Sequence, residues 1–443
     1  MLTDSTITRR SFISGGAALA VTAGSAVSVS APRAAERRLR MALVGTGDRG
    51  SFTWGQEVVE GYSDVVEIAG LCDINPKRVE AAKKLIGTNA PSFVDFDRMV
   101  KETRPDVVMV TTVDATHARY IVRALELGLD VMTEKPLCTD EEQCAAILDA
   151  QKRSGKKVTV TFNARHDPEA KKVKELLMEK AIGDIISLDF HEFLDTHHGA
   201  DYFRRWHRLK ENSGTLLVHK ASHHFDLANW WLDSRPTEVT AFGDLKFYGR
   251  NNLFRSTLCR VCPYKQQCKF YWDVTQNQRY VKLYVDCESE DGYFRDGCLW
   301  REDINIYDTM SVVVKYENGG LLNYTANTYL PFEGQAISIN GRQGRMDYNE
   351  FGGGGFSNKG LRLTRSFGKS EVIEDLEPRR AGGHGGADTS LHDLIFRGAQ
   401  GSDPLGLRAD LRAGALASLI GIAAYRSIER GGQTIRIKDL VKL

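Results

Sequence analysis

Met41-Ala42-Leu43-Val44-Gly45-Thr46-Gly47-Asp48-Arg49-Gly50 runs from a short apolar strand into a glycine-rich turn. Gly45, Gly47 and Gly50 have the G-x-G-x-x-G spacing. Such a turn needs glycine for a tight bend, for close approach of a pyrophosphate to backbone N–H groups, and for close helix–strand packing. A second apolar run, residues 65–71, leads to Asp73. A carboxylate at the tip of that strand accepts both ribose hydroxyls of an adenosine and repels a 2′-phosphate. Strand, turn and acid together predict a bound dinucleotide, NAD in preference to NADP. Lys77 and Arg78 just beyond Asp73 soften the second preference.

The chain of 443 residues has room for two domains and an ample core. Lys plus Arg number 59 against 58 Asp plus Glu, and no basic stripe interleaves with aromatics, which argues against a nucleic-acid partner. The first residues are a separate matter. Thr8-Arg9-Arg10-Ser11-Phe12-Ile13 precedes a weakly apolar run rich in Gly, Ala and Ser, residues 14–31. A basic region, a short apolar region and small residues describe a signal peptide over residues 1–35, and the arginine pair resembles the twin-arginine export signal. The expected location is periplasmic or otherwise exported, with an uncleaved tether as the rival reading. Glycines and serines break the run too often for a stable membrane span. Because that route carries folded proteins, a cofactor can be loaded before export.

Strand and helix alternate through about residue 160, which predicts a Rossmann-type, doubly wound parallel sheet over residues 36–160. Asn75-Pro76 reads as an N-cap with proline at the first helical position, and Thr139 with Glu142 as a capping box. Residues 117–127 read as a helix stopped by Gly128. Over residues 161–443 the pattern becomes α+β, with period-2 strands at 185–193, 310–316 and 321–328. These predict an open, mostly antiparallel sheet, whose free face makes a homo-oligomer plausible. Residues 245–300 read as a Cys-rich insertion and 405–431 as a long amphipathic helix.

Residues 106–112, then His117, then Glu134-Lys135-Pro136, resemble the Gfo/Idh/MocA family of sugar and polyol oxidoreductases. The third motif of that resemblance is Ser213-Gly214-Thr215-Leu216-Leu217-Val218-His219-Lys220-Ala221-Ser222-His223-His224-Phe225-Asp226. The resemblance implies that Gly45 to Gly50, Asp73, Thr111, His117, Glu134 and Lys135 contact the cofactor. It gives His223 the catalytic histidine position and puts His219 where many members carry aspartate. Lys135 would stabilise the alkoxide character of a reacting hydroxyl, and His223 would take or return its proton. A desolvated lysine and an imidazole both titrate near the pH where this is useful. The histidine at 219 leaves the proton relay short of a carboxylate. Asn163, Arg165 and His166 resemble one substrate loop of the family, and His384 with Asp388, framed by glycines, another. A similar Gly-His-Gly-Gly element occurs in NAD-dependent glycosidases of glycoside hydrolase family 109, usually followed by Met-Asp rather than Ala387-Asp388. Tyr202, Phe203 and Trp206 suit either a sugar-stacking surface or the core.

Cys259, Cys262 and Cys268, with Cys287 downstream, have the spacing of a thiolate metal site. Structural zinc is the preferred reading, with disulfides and an iron–sulfur cluster as the alternatives. Two functions compete. One is an NAD-dependent oxidoreductase acting on a sugar, polyol or glycoside hydroxyl. The other is a redox-neutral glycosidase or lyase that uses the same cofactor transiently. Free NAD is scarce outside the cytoplasm, so an exported enzyme of either kind does best with a tightly held cofactor.

Overall fold

The first apolar run folds as strand β1 (Leu39–Val44) and the second as β2 (Val66–Cys72). With β3 (Ser92–Phe93), β4 (Val107–Val110), β5 (Asp130–Thr133) and β6 (Val158–Val160) they form a six-stranded sheet in the order β3-β2-β1-β4-β5-β6. Every pairing in it is parallel. Helices cover both faces of such a sheet, which is why Met41 to Val44 and all of β4 are buried without alternation. The order reverses between β1 and β4, and the crevice above that switch point is where ligands bind in open parallel sheets. The computed structural model describes residues 37–398 and 401–442. Two units make up the chain, Met1–Arg37 and Arg38–Leu443, and every element named here lies in the second. The signal-peptide stretch falls outside the described residues.

Local signals place the helices. Asn75 caps Pro76–Ile86, its side chain accepting from the backbone N–H of Lys77 and Arg78. The next cap departs from expectation by one residue: Asp140, not Thr139, accepts from the Gln143 N–H at 2.8 Å and opens Glu141–Ser154. Gln143 completes the exchange by accepting from the Thr139 N–H at 3.2 Å.

The second sheet has nine strands: β7 (Ile185–Asp195), β8 (Pro236–Asp244), β9 (Thr309–Tyr316), β10 (Leu321–Leu330), β11 (Glu333–Gly341), β12 (Gly344–Gly353), β13 (Phe356–Arg365), β14 (Ser370–Ile373) and β15 (Ile435–Arg436). Their order is β14-β13-β12-β11-β7-β10-β9-β8-β15, with only the β7–β10 pairing parallel. Alternation is clean here. On β9, Met310, Val312, Val314 and Tyr316 are buried while Ser311, Val313 and Lys315 are exposed, so one face packs and the other meets solvent. The packed face is covered by helices Ser222–Leu232 and Leu411–Glu429.

The long helix is shorter than residues 405–431. Asp410 caps it, and residues 403–408 are held as a loop by the Asp403 carboxylate, which accepts from the Leu407 and Arg408 N–H groups. The insertion carries only short helical turns and one isolated bridge, between Leu258 and Gly297. Among the described residues no helix is long and apolar enough to cross a membrane.

Candidate active site

One cleft of about 1230 Å³ runs from the glycine turn across the carboxyl ends of β4 and β5 to the inner face of β7. Its nucleotide end is built by packing constraints. A Cβ on Gly50 would lie 2.1 Å from the Gly45 carbonyl oxygen and 2.6 Å from Thr111 Oγ1. A Cβ on Gly47 would meet only the Tyr284 hydroxyl, at 3.4 Å, and would otherwise enter the cleft. The turn is thus closed toward the protein and open where a pyrophosphate would approach, so the residues present fit a dinucleotide.

Asp73 sits at the tip of β2, as expected, but its carboxylate is already engaged. Oδ2 accepts from the Thr46 N–H at 2.8 Å and the Thr46 hydroxyl at 3.1 Å. Oδ1 accepts from the Asn75 N–H at 2.9 Å and from Arg78 at 3.3 Å.

The insertion docks beside this turn, a feature without any sequence signal. The Asp48 N–H donates to the Tyr284 hydroxyl at 2.8 Å, and Arg279 pairs with Asp48 at 2.9 Å. Arg78 donates to the Leu283 carbonyl at 3.0 Å and pairs with Asp291 at 2.7 Å, while Asn75 donates to the Cys287 carbonyl at 2.9 Å. Tyr284, Asp291 and Tyr293 line the same cleft as Gly47 and Asp73.

Arg49, inside the turn, reaches two carboxylates. Its Nε pairs with Glu134 at 2.6 Å, and its two Nη atoms donate to Asp388 at 2.8 and 2.9 Å. Trp54 donates to the same Glu134 oxygen at 2.8 Å. Asp388 also accepts from Asn163 at 2.8 Å and from His384 Nδ1 at 2.7 Å. Asn163 and His384 line the cleft, whereas Asp388 is buried behind them. Burial alone would raise the Asp388 carboxyl, but the hydrogen bonds from His384 and Arg49 hold it far below the usual carboxylate range.

The end of the cleft around Lys135 is denser than the sequence suggested. Gly214 and Thr215 both take positive φ, at 63° and 73°, and the turn starts helix Leu216–His219 with the Thr215 hydroxyl accepting from the Leu217 N–H. For a β-branched residue that conformation is a real departure. The chain breaks at Lys220 and restarts as Ser222–Leu232, so His219 and His223 lie on separate helices rather than one, yet both line the cleft with Lys135. Lys135 Nζ donates to the His219 carbonyl at 2.9 Å. Burial pushes the Lys135 ammonium down to about 8, against the attraction of Asp114 and Glu134. Burial, together with the Lys135 and Lys220 charges, also holds His223 well below the usual imidazole range. His223 Nδ1 is buried without a hydrogen-bond partner, and its ring lies edge-on to Phe162 at 5.9 Å.

Two acids here were missed. Asp114, in the turn after β4, accepts from His219 Nδ1 at 2.6 Å. Glu192, on β7, pairs with Lys220 at 3.0 Å and faces His224 at 3.4 Å. The position of Asp114, in a loop at the carboxyl end of a parallel strand, was the available clue.

Several expected residues are placed elsewhere. Arg165 is tied to Asp226 at 2.6 and 2.7 Å and to the Gly406 carbonyl, and His166 faces Ser390 at 3.2 Å; both are buried away from the cleft lining. They brace the loops instead of touching a substrate. His117 lines the cleft, its Nδ1 facing the Pro136 carbonyl at 2.8 Å and its Nε2 the Thr112 carbonyl at 3.1 Å. Phe203 is core, while Tyr202 and Trp206 reach the cleft.

The cysteine expectation is corrected. Cys259, Cys262 and Cys268 share a small cavity with Cys298, whereas Cys287 donates to the Lys282 carbonyl at 3.2 Å on the face that docks against Asn75. All eight cysteines are free thiols in the structure. Among the described residues no group of three or more His, Cys, Asp or Glu side chains could hold a metal ion, and neither zinc nor an iron–sulfur cluster finds its ligand set.

Comparison with known proteins agrees with this architecture. The family model described as an oxidoreductase family, NAD-binding Rossmann fold, matches residues 39–162. Its companion, the C-terminal alpha/beta domain of the same family, matches residues 174–437. YteT of Bacillus subtilis, an oxidoreductase by name, is 35% identical over 427 residues, covering 90% of this chain and 98% of that protein. Glycosyl hydrolase family 109 protein 1 of Akkermansia muciniphila is 26% identical over 198 residues, covering 41% of this chain and 40% of its own length. The solved structure of the WlbA dehydrogenase from Bordetella pertussis, in complex with NADH and UDP-GlcNAcA, superposes with a TM-score of 0.63 at 19% identity, over 92% of this chain and all of that one. That last likeness shows the fold.

Proposed function

The chain belongs to the Gfo/Idh/MocA oxidoreductase family and is an NAD-binding oxidoreductase of that type; on this premise we propose that it acts on a hydroxyl of a sugar, polyol or glycoside, outside the cytoplasm, with a tightly held cofactor. The observation that carries the reading is the desolvated Lys135, bonded to the His219 carbonyl in the one cleft that the glycine turn, His219 and His223 also line. When bound, the nicotinamide supplies the hydride acceptor. The chain supplies the rest. Lys135, as an ammonium, donates to the reacting oxygen and stabilises the charge that grows there as the proton leaves. The two cleft histidines, His219 and His223, both kept neutral by burial and neighbouring cations, are the groups free to take that proton. Tyr202, Trp206 and His384 offer ring faces and a polar tip to a sugar.

A second reading, redox-neutral cleavage of a glycoside, is favoured by the insertion contacts at Asp48, Asn75 and Arg78, since a cofactor held there suits a cycle that regenerates it. The His384–Asp388 pair and the family 109 relative support it too.

One experiment tests the premise. Protein purified without added nucleotide is denatured and the released NAD(H) measured, then native protein is incubated with polyols, aldoses and aryl glycosides without added NAD. Nucleotide should be released, and a hydroxyl-bearing substrate turned over. Many aglycones per enzyme would select the second reading. Protein that neither carries nor binds NAD(H) would sink both. For export, residues 1–36 fused to a folded reporter should deliver it across the membrane, and the pair Arg9→Lys and Arg10→Lys should stop it.

A further inference from the structure

We infer that Asp114 is the positioning carboxylate of the cleft: it takes the Nδ1–H of His219, making Nε2 of that ring a proton acceptor beside the Lys135 ammonium. The inference rests on the reading that Lys135 faces the reacting oxygen.

Geometry carries it. Asp114 is buried and lies 2.6 Å from His219 Nδ1, and Lys135 Nζ is 2.9 Å from the His219 carbonyl, so the acid holds the ring and the ammonium the backbone of the same residue. A neutral imidazole has one N–H and one lone pair, and a carboxylate on Nδ1 decides which is which. His223 has no such partner on Nδ1. His219 is therefore the histidine whose basic nitrogen is preset. The sequence at 219 lacks the aspartate that the family resemblance led us to expect there. The missing charge comes instead from the turn after β4, 105 residues earlier in the chain.

The other groups facing His219 are the Lys135, Lys220 and Arg205 cations, His207 at 4.1 Å between ring centroids, and the rings of Tyr202 and Trp206. Burial, followed by those cations and His207, keeps His219 neutral. Burial raises the Asp114 carboxyl well above the usual carboxylate range against the pull of Lys135, so its ionised form depends on the Lys135 ammonium. In the step itself the substrate O–H bond breaks and an Nε2–H bond forms. The resulting imidazolium is stabilised by the Asp114 carboxylate, and the oxygen left behind faces Lys135.

The test uses the holoprotein. ¹⁵N spectra of labelled histidine should show His219 as the Nδ1–H tautomer in the parent and not in Asp114→Asn, a near-isosteric change whose folding is checked by its melting temperature. In turnover, Asp114→Asn should lower kcat roughly 10²–10⁴-fold with KM changed far less. Asp114→Glu, which keeps a carboxylate within reach of the His219 ring, should retain at least about tenfold more of kcat than Asp114→Asn, which a merely structural role would not give. Parental kcat in Asp114→Asn, or an Nε2–H tautomer in the parent, would overturn the inference. If the parent turns over no sugar or polyol, the functional reading fails, and the tautomer measurement still decides the role of Asp114.

Discussion

Gly421, midway along the Leu411–Glu429 helix, lies so close to Leu217 that a Cβ would fall 2.3 Å from the Leu217 carbonyl oxygen. The helix therefore presses its bare backbone against the short helix that ends at His219.

Gly421→Ala must move that short helix or the long one. Overpacking of this kind costs about 1–3 kcal/mol, and a displacement at Leu217 is passed to His219 two residues on. The expected outcome is a lower melting temperature together with a fall in kcat larger than any change in cofactor affinity. Loss of stability with unchanged kcat would show that the contact serves packing alone.

Arg49→Met removes the cation shared by Glu134 and Asp388. Leaving a buried carboxylate unpaired costs about 3–5 kcal/mol. The sign with pH follows from the Asp388 carboxyl being depressed in the folded state. Its contribution is present above the unfolded carboxylate value, about 3.9, and disappears as pH falls through that range and below. Chemical denaturation should thus show parent and variant far apart at pH 7 and converging in acid; a constant gap would contradict the account.

The Lys135 ammonium, lowered to about 8, predicts a limb in the rate profile. If the cation is needed to stabilise the forming alkoxide, oxidation falls as pH rises through about 8, with the titration shared with Asp114. Lys135→Arg should push that limb beyond pH 10 even if the rate is low. For stability the sign is opposite. A lysine whose folded value lies below the unfolded 10.4 costs stability in full below about 8, and the cost fades as pH climbs toward 10.4.

Gly50→Ala places a methyl group 2.1 Å from a carbonyl oxygen of the same turn. Dinucleotide binding should be lost by titration calorimetry, and the melting temperature should drop. Gly47→Ala, whose methyl would enter the cleft, should weaken binding while leaving the apoprotein as stable as the parent.

What was legible in the sequence was local. Strand, turn and acid from Met41 to Asp73 fold as read, and so do the caps at Asn75 and, one residue late, at Asp140. The order of Lys135 and the two histidines was legible because each sits in a contiguous motif. What escaped notice joins distant parts of the chain. Asp48 meets Tyr284 across 236 residues and Arg49 meets Asp388 across 339, with no periodicity or spacing to announce either. The cysteine knuckle was readable, yet the fourth sulfur at its cavity is Cys298, brought there by the bridge between Leu258 and Gly297. Arg165 and His166 follow the cleft-lining Asn163 and Ala164, but Asp226 and Ser390 turn them inward.

The docking of the insertion on the β1 and β2 turns changes what kind of event cofactor exchange is. Tyr284, Leu283, Cys287 and Asp291 hold Asp48, Asn75 and Arg78 through contacts of 2.7–3.0 Å. On the proposal that the cofactor is tightly held, a ligand seated in that turn would leave by local opening of this segment rather than by diffusion from an open mouth. Its residence time is then written in the opening free energy of the Gln278–Asp291 segment, and mild denaturant should speed release well before the two sheets melt.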